Sequence, residues 1–125
     1  MIYTTYFAKL GSLPSSIVPI SITRRTPIGW RGKTYKRLAP SWLILQRYKA
    51  TGDETEYRVR YEKDVLGWQD PDLCYIYLHE VLAEGKDFAL VCYERPEKFC
   101  HRHIIAEWFT KNGYETREWG EVEEK

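Results

Sequence analysis

The sequence Phe88-Ala89-Leu90-Val91-Cys92-Tyr93 is a continuous apolar run with charged or turn-forming residues on both sides. A strand with one face in water alternates apolar and polar side chains, whereas a strand covered on both faces is apolar throughout. Residues 88–93 are therefore predicted to form a central strand that is buried on both faces of a sheet. Gly85 is a natural stop for the helical pattern that precedes it.

Helical and strand patterns alternate along the rest of the chain. Segments rich in β-branched and aromatic residues predict two further strands and an edge strand, at 2–7, 17–23 and 114–119. Apolar residues at helical spacing predict four helices, at 42–52, 54–66, 73–84 and 101–113. Ser41 is the expected N-cap of the first helix. This alternation predicts an α/β fold, a small three-layer sandwich with a mostly parallel central sheet flanked by helices.

Length and composition fit one folded domain. The chain has 125 residues, of which 43% are hydrophobic and 15% aromatic, and this excludes a disordered protein. We expect residues 1–119 to form a single domain and residues 120–125 an acidic tail. No apolar segment approaches the roughly 20 residues of a membrane-spanning helix, and no signal-peptide pattern is present. With three cysteines, an odd number that indicates reduced thiols, we expect a cytoplasmic protein without a membrane partner.

The net charge of +1 conceals a division of the chain into a basic and an acidic half. Residues 1–52 contain nine basic and no acidic residues, and residues 53–125 contain ten basic and 18 acidic ones, so the halves carry +9 and −8. Six of the nine basic residues lie between Arg24 and Arg37. This basic segment either attracts a phosphate-bearing partner or is neutralised by acidic residues of the same chain or of a second copy.

Residues 92–103 carry the densest group of reactive side chains, between the central strand and the last predicted helix. Cys100 lies at the start of that helix, where free backbone N–H groups and the helix dipole favour an anion and lower a thiol pKa. The helix start is therefore a candidate phosphate site with His101 and Arg102 as donors, or Cys100 is a reactive thiolate. The structural alternative is that Cys92 and Cys100 are small buried apolar residues and that His101 is a hydrogen-bonded spacer.

The same segment contains four potential metal ligands, namely Cys92, Cys100, His101 and His103. Structural zinc sites normally combine two pairs of ligands, and within each pair two to four residues separate the ligands. Here seven residues separate the two cysteines, and the sequence has no second pair of closely spaced ligands. The spacing therefore favours a protein without a metal or another cofactor.

The sequence places further polar residues near this segment. Ligands of parallel sheets bind beyond the carboxyl ends of the strands. Arg24 and Arg25 follow the second predicted strand and residues 92–102 follow the central strand, so we expect them to be neighbours. Glu94 is positioned to accept from a ligand hydroxyl, to act as a general base, or to pair with an arginine.

These residues resemble the signature of a known family. Cys92-Tyr93-Glu94 followed by Cys100-His101-Arg102-His103 is similar to the C-terminal motif of the bacterial and phage family named domain of unknown function 488 (DUF488). Shorter matches precede that motif in the same order, at Arg24-x-x-Pro27-x-Gly29, Ala39-Pro40-Ser41 and Arg60-Tyr61. The chain departs from the family at Thr23, where an acid is usual, and at Ile28, where a basic residue is usual.

The resemblance spans residues 2–108 and implies an α/β fold without a settled activity. It also implies a site cluster formed by Arg24, Tyr61, Glu94, Cys100, His101 and Arg102. The expected function is binding of a phosphate-bearing ligand, a nucleotide or exposed nucleic acid, with Trp30 or Tyr61 stacking on the base. The expected ligand-binding residues are Arg24, Arg25, Trp30, Tyr61, His101 and Arg102.

Two other classes of function stay open at this point. The first is an enzyme that acts on a nucleotide-like substrate, with Cys100 or Glu94 as the catalytic residue. The second is a protein-interaction module whose basic half docks on an acidic partner. In a homo-oligomer, that partner would be the acidic half of a second copy.

Overall fold

A five-stranded parallel sheet forms the centre of the computed structural model, which describes residues 1–120. Its strands are β1 (Ile2–Tyr6), β2 (Ile17–Ser21), β3 (Lys33–Thr34), β4 (Asp87–Cys92) and β5 (Thr116–Glu118). They lie in the order β3-β2-β4-β1-β5, and each pair of neighbours is parallel. The predicted α/β class is therefore confirmed.

Strand β4 occupies the middle of the sheet, as the apolar run predicted. Its neighbours are β1, which aligns Ile2 with Phe88, and β2, which aligns Val18 with Phe88. Residues 88–91 are each 0% exposed. A strand that is paired along both edges and covered on both faces has no position for a polar side chain, which explains the unbroken apolar sequence.

Four α-helices connect or follow the strands: α1 (Trp42–Thr51), α2 (Glu54–Asp64), α3 (Pro71–Ile76) and α4 (His101–Lys111). The first three begin at side-chain caps, since Ser41, Asp53 and Asp70 accept hydrogen bonds from backbone N–H groups of the first turn. Helix α1 ends at Gly52, whose φ of +65° is a left-handed conformation that glycine adopts without strain. The predicted N-cap role of Ser41 is confirmed.

The segment after α3 differs from the regular helix predicted at 73–84. It continues as a π-helix at Tyr77–Leu82, and the N–H of Ala83 donates to the carbonyl of Leu78, five residues earlier, at 2.9 Å. On an α-helix, residues five apart point about 140° away from each other. The wider π turn reduces that angle, so Leu78 and Ala83 are both 0% exposed.

A single hydrophobic core joins the helices to one face of the sheet. The β4 residues Phe88, Leu90 and Cys92 belong to it, together with side chains from all four α-helices. On the other face, Tyr3 meets Trp119 edge-on, and Trp119 Nε1 donates to Ser12 Oγ at 3.0 Å. Ser12 ends a 3-10 helix, Phe7–Ser12, that the sequence patterns did not predict. This face is therefore covered in part by the 3-10 helix and aromatic side chains.

Two sequence predictions concern the ends and the surroundings of the domain. The acidic tail predicted at 120–125 lies outside the described residues, apart from Gly120. Within residues 1–120, no helix has both the length and the apolar character needed to cross a lipid bilayer.

Candidate functional site

A cavity of about 490 Å³ opens at the carboxyl ends of β2 and β4. The segment after β2 lines it with Thr23, Arg24 and Arg25, and the segment after β4 lines it with Tyr93 and Glu94. Three residues at its base come from the end of β4 and the start of α4, namely Cys92, Cys100 and His101. The remaining lining residues are Pro40, Trp42, Leu45, Gln46, Tyr48, Lys49, Tyr57 and Phe99.

Three aromatic rings pack against one another on one side of the cavity. The ring centroids of Tyr57 and Phe99 lie 4.9 Å apart in an edge-on arrangement, and Tyr48 lies 5.4 Å from each of them. We call Tyr48, Tyr57 and Phe99 the aromatic wall. Large, flat side chains of this kind contact planar ligands well, because they bring apolar area with little conformational entropy to lose.

Arg24 and Arg25 bring positive charge to the cavity. Both side chains are exposed, and no carboxylate within residues 1–120 forms an ion pair with either of them. The backbone beside them is fixed, since Tyr93 Oη and Thr23 Oγ1 both donate to the carbonyl of Arg25, at 2.8 and 2.7 Å. Their charges are therefore available to an anionic ligand at a defined position.

Glu94 adds a carboxylate to the same cavity. Its side chain is exposed and makes no hydrogen bond or ion pair with another residue of 1–120 that would occupy it. Burial raises the pKa of Tyr57, and the negative charge of Glu94 raises it further, so this carboxylate faces the aromatic wall. A free acceptor at this position can bond to a ligand hydroxyl or amine.

At the base of the cavity, a backbone hydrogen bond orients the His101 ring, which lies beside Cys100. His101 Nε2 lies 2.8 Å from the carbonyl oxygen of Ile22, so Nε2 is the protonated nitrogen and donates. Nδ1 is then the nitrogen with the free lone pair, and it lies 3.8 Å from Cys100 Sγ. Burial lowers the pKa of His101 to about 4, so the ring is neutral at pH 7.

The sulfur atoms of Cys92 and Cys100 also lie close to each other. Their Sγ atoms and a nitrogen of His101 are all within 4.8 Å of one another. The two sulfur atoms are close enough for a disulfide between Cys92 and Cys100, and the free-thiol form is the alternative state of this pair. Cys74 is a free thiol, as the cysteine count predicted, and for Cys92 and Cys100 the reduced state stays a prediction.

Arg102 lies behind the cavity and does not line it, contrary to the role expected from sequence. Its side chain is 0% exposed, and its Nε and Nη2 atoms donate to Glu118 at 3.1 and 2.8 Å. Nη1 donates to the Glu94 carbonyl at 2.6 Å and to Cys92 Sγ at 3.2 Å. A guanidinium with these partners has its charge neutralised and its donors occupied, so it is not free to bind phosphate.

The two aromatic residues expected to stack on a base also lie outside the cavity lining. Tyr61 is 0% exposed, donates to the carbonyl of Leu38, and supports the His101 ring from the core with centroids 5.7 Å apart. Trp30 packs edge-on against Phe7, 5.2 Å away, and its Nε1 donates to the carbonyl of Lys33 at 3.2 Å. Both residues have structural partners instead.

The side of the cavity that α1 and α2 form was not predicted from sequence. The signal was a helical spacing. Leu45 lies three residues after Trp42, and Tyr48 and Lys49 lie three and four residues after Leu45, so these side chains share one side of the helix. That spacing is equally typical of a core-facing helix, so it does not by itself indicate a ligand.

The chain matches the model of a known protein family. The family model DUF488-N3a, described as the active DUF488-N3 subclade, matches residues 6–113. This range includes every residue that lines the cavity, and it confirms the resemblance found from the Cys-His-Arg motif. No curated protein and no solved structure matches the chain.

Proposed function

The chain belongs to the DUF488-N3a subclade of the DUF488 family, and we propose that its cavity binds a phosphate-bearing ligand with a planar ring. A nucleotide fits this description, and so does an exposed nucleotide of a nucleic acid. The observation that carries the proposal is that an aromatic wall and two exposed arginines, which form no ion pair with a carboxylate of residues 1–120, line the same cavity at the strand ends.

The division of roles follows from the chemistry of the lining. Arg24 and Arg25 pair with the phosphate, because guanidinium groups match phosphate oxygens in charge and geometry. The aromatic wall stacks on the base. Glu94 accepts a hydrogen bond from the sugar or base. The backbone N–H groups at the start of α4, beside Cys100 and His101, add donors for an anion.

The volume of the cavity and the binding energies expected from its lining residues are typical of a site for a small ligand. A volume of about 490 Å³ lies in the range of about 300–1,000 Å³ that is typical of small-molecule pockets. Charged hydrogen bonds contribute about 1.5–3 kcal/mol each, and a stacked base contributes about 1–3 kcal/mol. After the cost of association, these contributions give dissociation constants in the micromolar to millimolar range.

Calorimetric titration with nucleoside monophosphates tests the proposal. Arg24→Ala/Arg25→Ala is expected to weaken binding at least about tenfold, which corresponds to 1.4 kcal/mol, with an unchanged melting temperature because both side chains are exposed. Arg31→Ala/Lys36→Ala is the matched control, since it removes two charges of the same basic segment outside the cavity lining. Equal weakening by both double variants would show a non-specific attraction and would contradict the proposal.

The salt dependence of affinity distinguishes a free nucleotide from a nucleic acid. A ligand held by one or two phosphates gives a shallow decrease of affinity with salt. An oligonucleotide that is bound through many phosphates gives a steep decrease. The logarithm of its binding constant falls with the logarithm of the salt concentration with a slope of about 0.7 for each contacted phosphate of a single strand. Measurement of both ligands at several salt concentrations therefore separates the two forms of the proposal.

A second candidate function is an enzyme on the same ligand class, favoured by the orientation of His101. The Nδ1 lone pair faces the Cys100 thiol, which is the arrangement needed for a base to take a thiol proton. Glu94 is the alternative catalytic residue. The description of the matched subclade as active supports this candidate.

A further inference from the structure

Three soft or borderline metal ligands converge at the base of the cavity. Cys92, Cys100 and His101 each supply one donor atom, and these atoms lie within 4.8 Å of one another. All three residues are buried, yet all three line the cavity. We propose that they bind one transition-metal ion of the zinc type, with its fourth coordination position open to the cavity.

The separation of Cys100 Sγ from His101 Nδ1 fits a tetrahedral ion. Zinc lies about 2.3 Å from a thiolate sulfur and about 2.0 Å from an imidazole nitrogen, so tetrahedral angles place these two donors about 3.6 Å apart. Cys100 Sγ and His101 Nδ1 are 3.8 Å apart. A metal can therefore bridge these two atoms with little movement of either side chain. The sulfur atoms of Cys92 and Cys100, which are close enough for a disulfide, must be reduced and lie about 3.8 Å apart to bind the same tetrahedral ion.

The residues around the three donors have the arrangement that supports metal ligands. A ligating histidine typically donates its other ring N–H to a carbonyl or carboxylate, which fixes the ring and directs the free lone pair to the metal. His101 donates from Nε2 to the carbonyl of Ile22 at 2.8 Å, so Nδ1 is the available ligand. Arg102 Nη1 donates to Cys92 Sγ at 3.2 Å, and this bond stabilises the sulfur as a thiolate.

The charges of the site also balance. Two thiolates neutralise a divalent cation, and the neighbouring Arg102 is neutralised by Glu118. A neutral assembly avoids the large desolvation cost of an isolated charge in a buried position. Two thiolates and one imidazole favour zinc over magnesium or calcium, which prefer oxygen ligands.

The backbone at Cys100 explains why the sequence spacing disfavoured this site. Successive residues within a helix point in different directions, but Cys100 precedes the helix and is extended, with φ −159° and ψ 145°. Its side chain can therefore approach the same point as that of His101, the first residue of α4. Cys92 reaches that point from the end of β4, across a loop of seven residues.

Three protein ligands and an open position are typical of catalytic rather than structural zinc sites. The open position faces the cavity that contains Glu94, Arg24 and Arg25. The metal site goes beyond the proposed function and does not depend on it, because its test needs no nucleotide.

Cobalt binding to reduced, EDTA-treated protein tests the site. Titration with Co²⁺ under anaerobic conditions is expected to give one ion per chain, a thiolate-to-cobalt charge-transfer band and the strong visible bands of tetrahedral Co²⁺. Zn²⁺ is expected to displace the cobalt and bleach these bands. Cys100→Ser and His101→Gln are expected to weaken binding by at least about 100-fold, more than the about 10–100-fold effect of an outer-shell change. Cys74→Ser is the matched control, since Cys74 is also buried and free.

A second measurement on the unaltered chain does not depend on the folding of the variants. Zn²⁺ is expected to protect Cys92 and Cys100, but not Cys74, from alkylation. The inference is overturned if the reduced protein binds no Co²⁺, if Cys74→Ser removes the spectrum as fully as Cys100→Ser, or if Zn²⁺ protects no cysteine. A Cys92–Cys100 disulfide that, once reduced, yields a protein unable to bind either metal would also overturn it.

Discussion

Arg102 of α4 and Glu118 of β5 form a buried, two-point ion pair. The Nε–Oε1 and Nη2–Oε2 distances are 3.1 and 2.8 Å, and the side chains are 0% and 8% exposed. The same guanidinium donates to the carbonyl of Glu94. It therefore ties the last helix and the edge strand to the loop that enters the cavity.

Loss of the Glu118 charge is expected to destabilise the fold strongly. Glu118→Gln leaves the Arg102 charge buried without its counter-ion, and such changes cost about 3–5 kcal/mol. Urea unfolding measures the change in the free energy of unfolding. Glu107→Gln, in the exposed pair of Arg58 and Glu107 at 2.8 Å, is the control and is expected to cost about 0–1 kcal/mol. Similar costs for both substitutions would show that the burial of Arg102 is not energetically significant.

The aromatic wall is expected to contribute to the binding of a base but not of a phosphate. Tyr48→Ala removes one ring of the wall and is expected to weaken the binding of a nucleoside monophosphate by about 1–3 kcal/mol. Binding of inorganic pyrophosphate is expected to stay unchanged, and Tyr48→Phe is expected to retain both affinities. Calorimetry with the two ligands checks this. Tyr77→Ala, at an exposed tyrosine outside the cavity lining, is the control, and an equal loss there would contradict stacking.

The three thiols are expected to differ in their reactivity in metal-free protein. Burial raises the pKa of Cys74 to about 11, so this thiol is protonated at pH 7 and reacts slowly. Cys100 lines the cavity and faces the free lone pair of His101. Iodoacetamide at pH 7 is therefore expected to modify Cys100 before Cys74, as followed by peptide mass spectrometry over time. Modification of all three cysteines at one rate would count against the enzyme candidate.

Stability is expected to fall above pH 9. The Cys74 thiol has an ordinary pKa of 9.0 and a folded-state pKa of about 11. Between these pH values the unfolded chain loses the thiol proton and the folded chain keeps it. The free energy of unfolding therefore decreases by up to about 3 kcal/mol. Burial also raises the pKa of the neighbouring Tyr35 to about 12, which extends the effect in the same direction. Urea midpoints at pH 8.5 and 10.5 measure the decrease.

Cys74→Ala is the control for this pH effect. The variant is expected to be less stable at pH 8.5, because it removes buried atoms, but to lose less stability between the two pH values. An identical decrease in both proteins would assign the effect to other groups.

Four of the five strands could be predicted from sequence because their determinants are local, whereas the two-residue strand β3 lies in the basic segment and was not predicted. Residues 88–92 of the apolar run at 88–93 lie in β4, and a continuous apolar run is typical of a strand that is covered on both faces. Tyr93 was predicted to be part of this buried strand, but it follows β4 and is 48% exposed. Ser41 was predictable as a cap from a local determinant too, since its partner is the N–H of Ile44, three residues later. The location of the cavity at the carboxyl ends of the strands was predictable from the parallel topology alone.

The role of Arg102 could not be predicted, because it depends on a partner 16 residues away that folding brings next to it. An arginine that binds phosphate and one that pairs with a buried glutamate have the same sequence signature. Trp30 shows the same limit. It was expected to stack on a base, but its packing against Phe7 depends on how the basic segment meets the 3-10 helix that begins at Phe7. The grouping of Cys92 with Cys100 and His101 depends on an extended backbone at Cys100, which spacing does not encode.

All five strands run in one direction, so the turns that precede them lie at the edge opposite the cavity. Ser15 precedes β2, Lys86 precedes β4 and Glu115 precedes β5, and all three residues are exposed. A six-residue strand such as β4 is about 20 Å long. A fluorophore, a biotin or a surface-immobilisation anchor attached at one of these turns would therefore report on the protein, or hold it on a sensor chip, without obstructing the entry of a ligand.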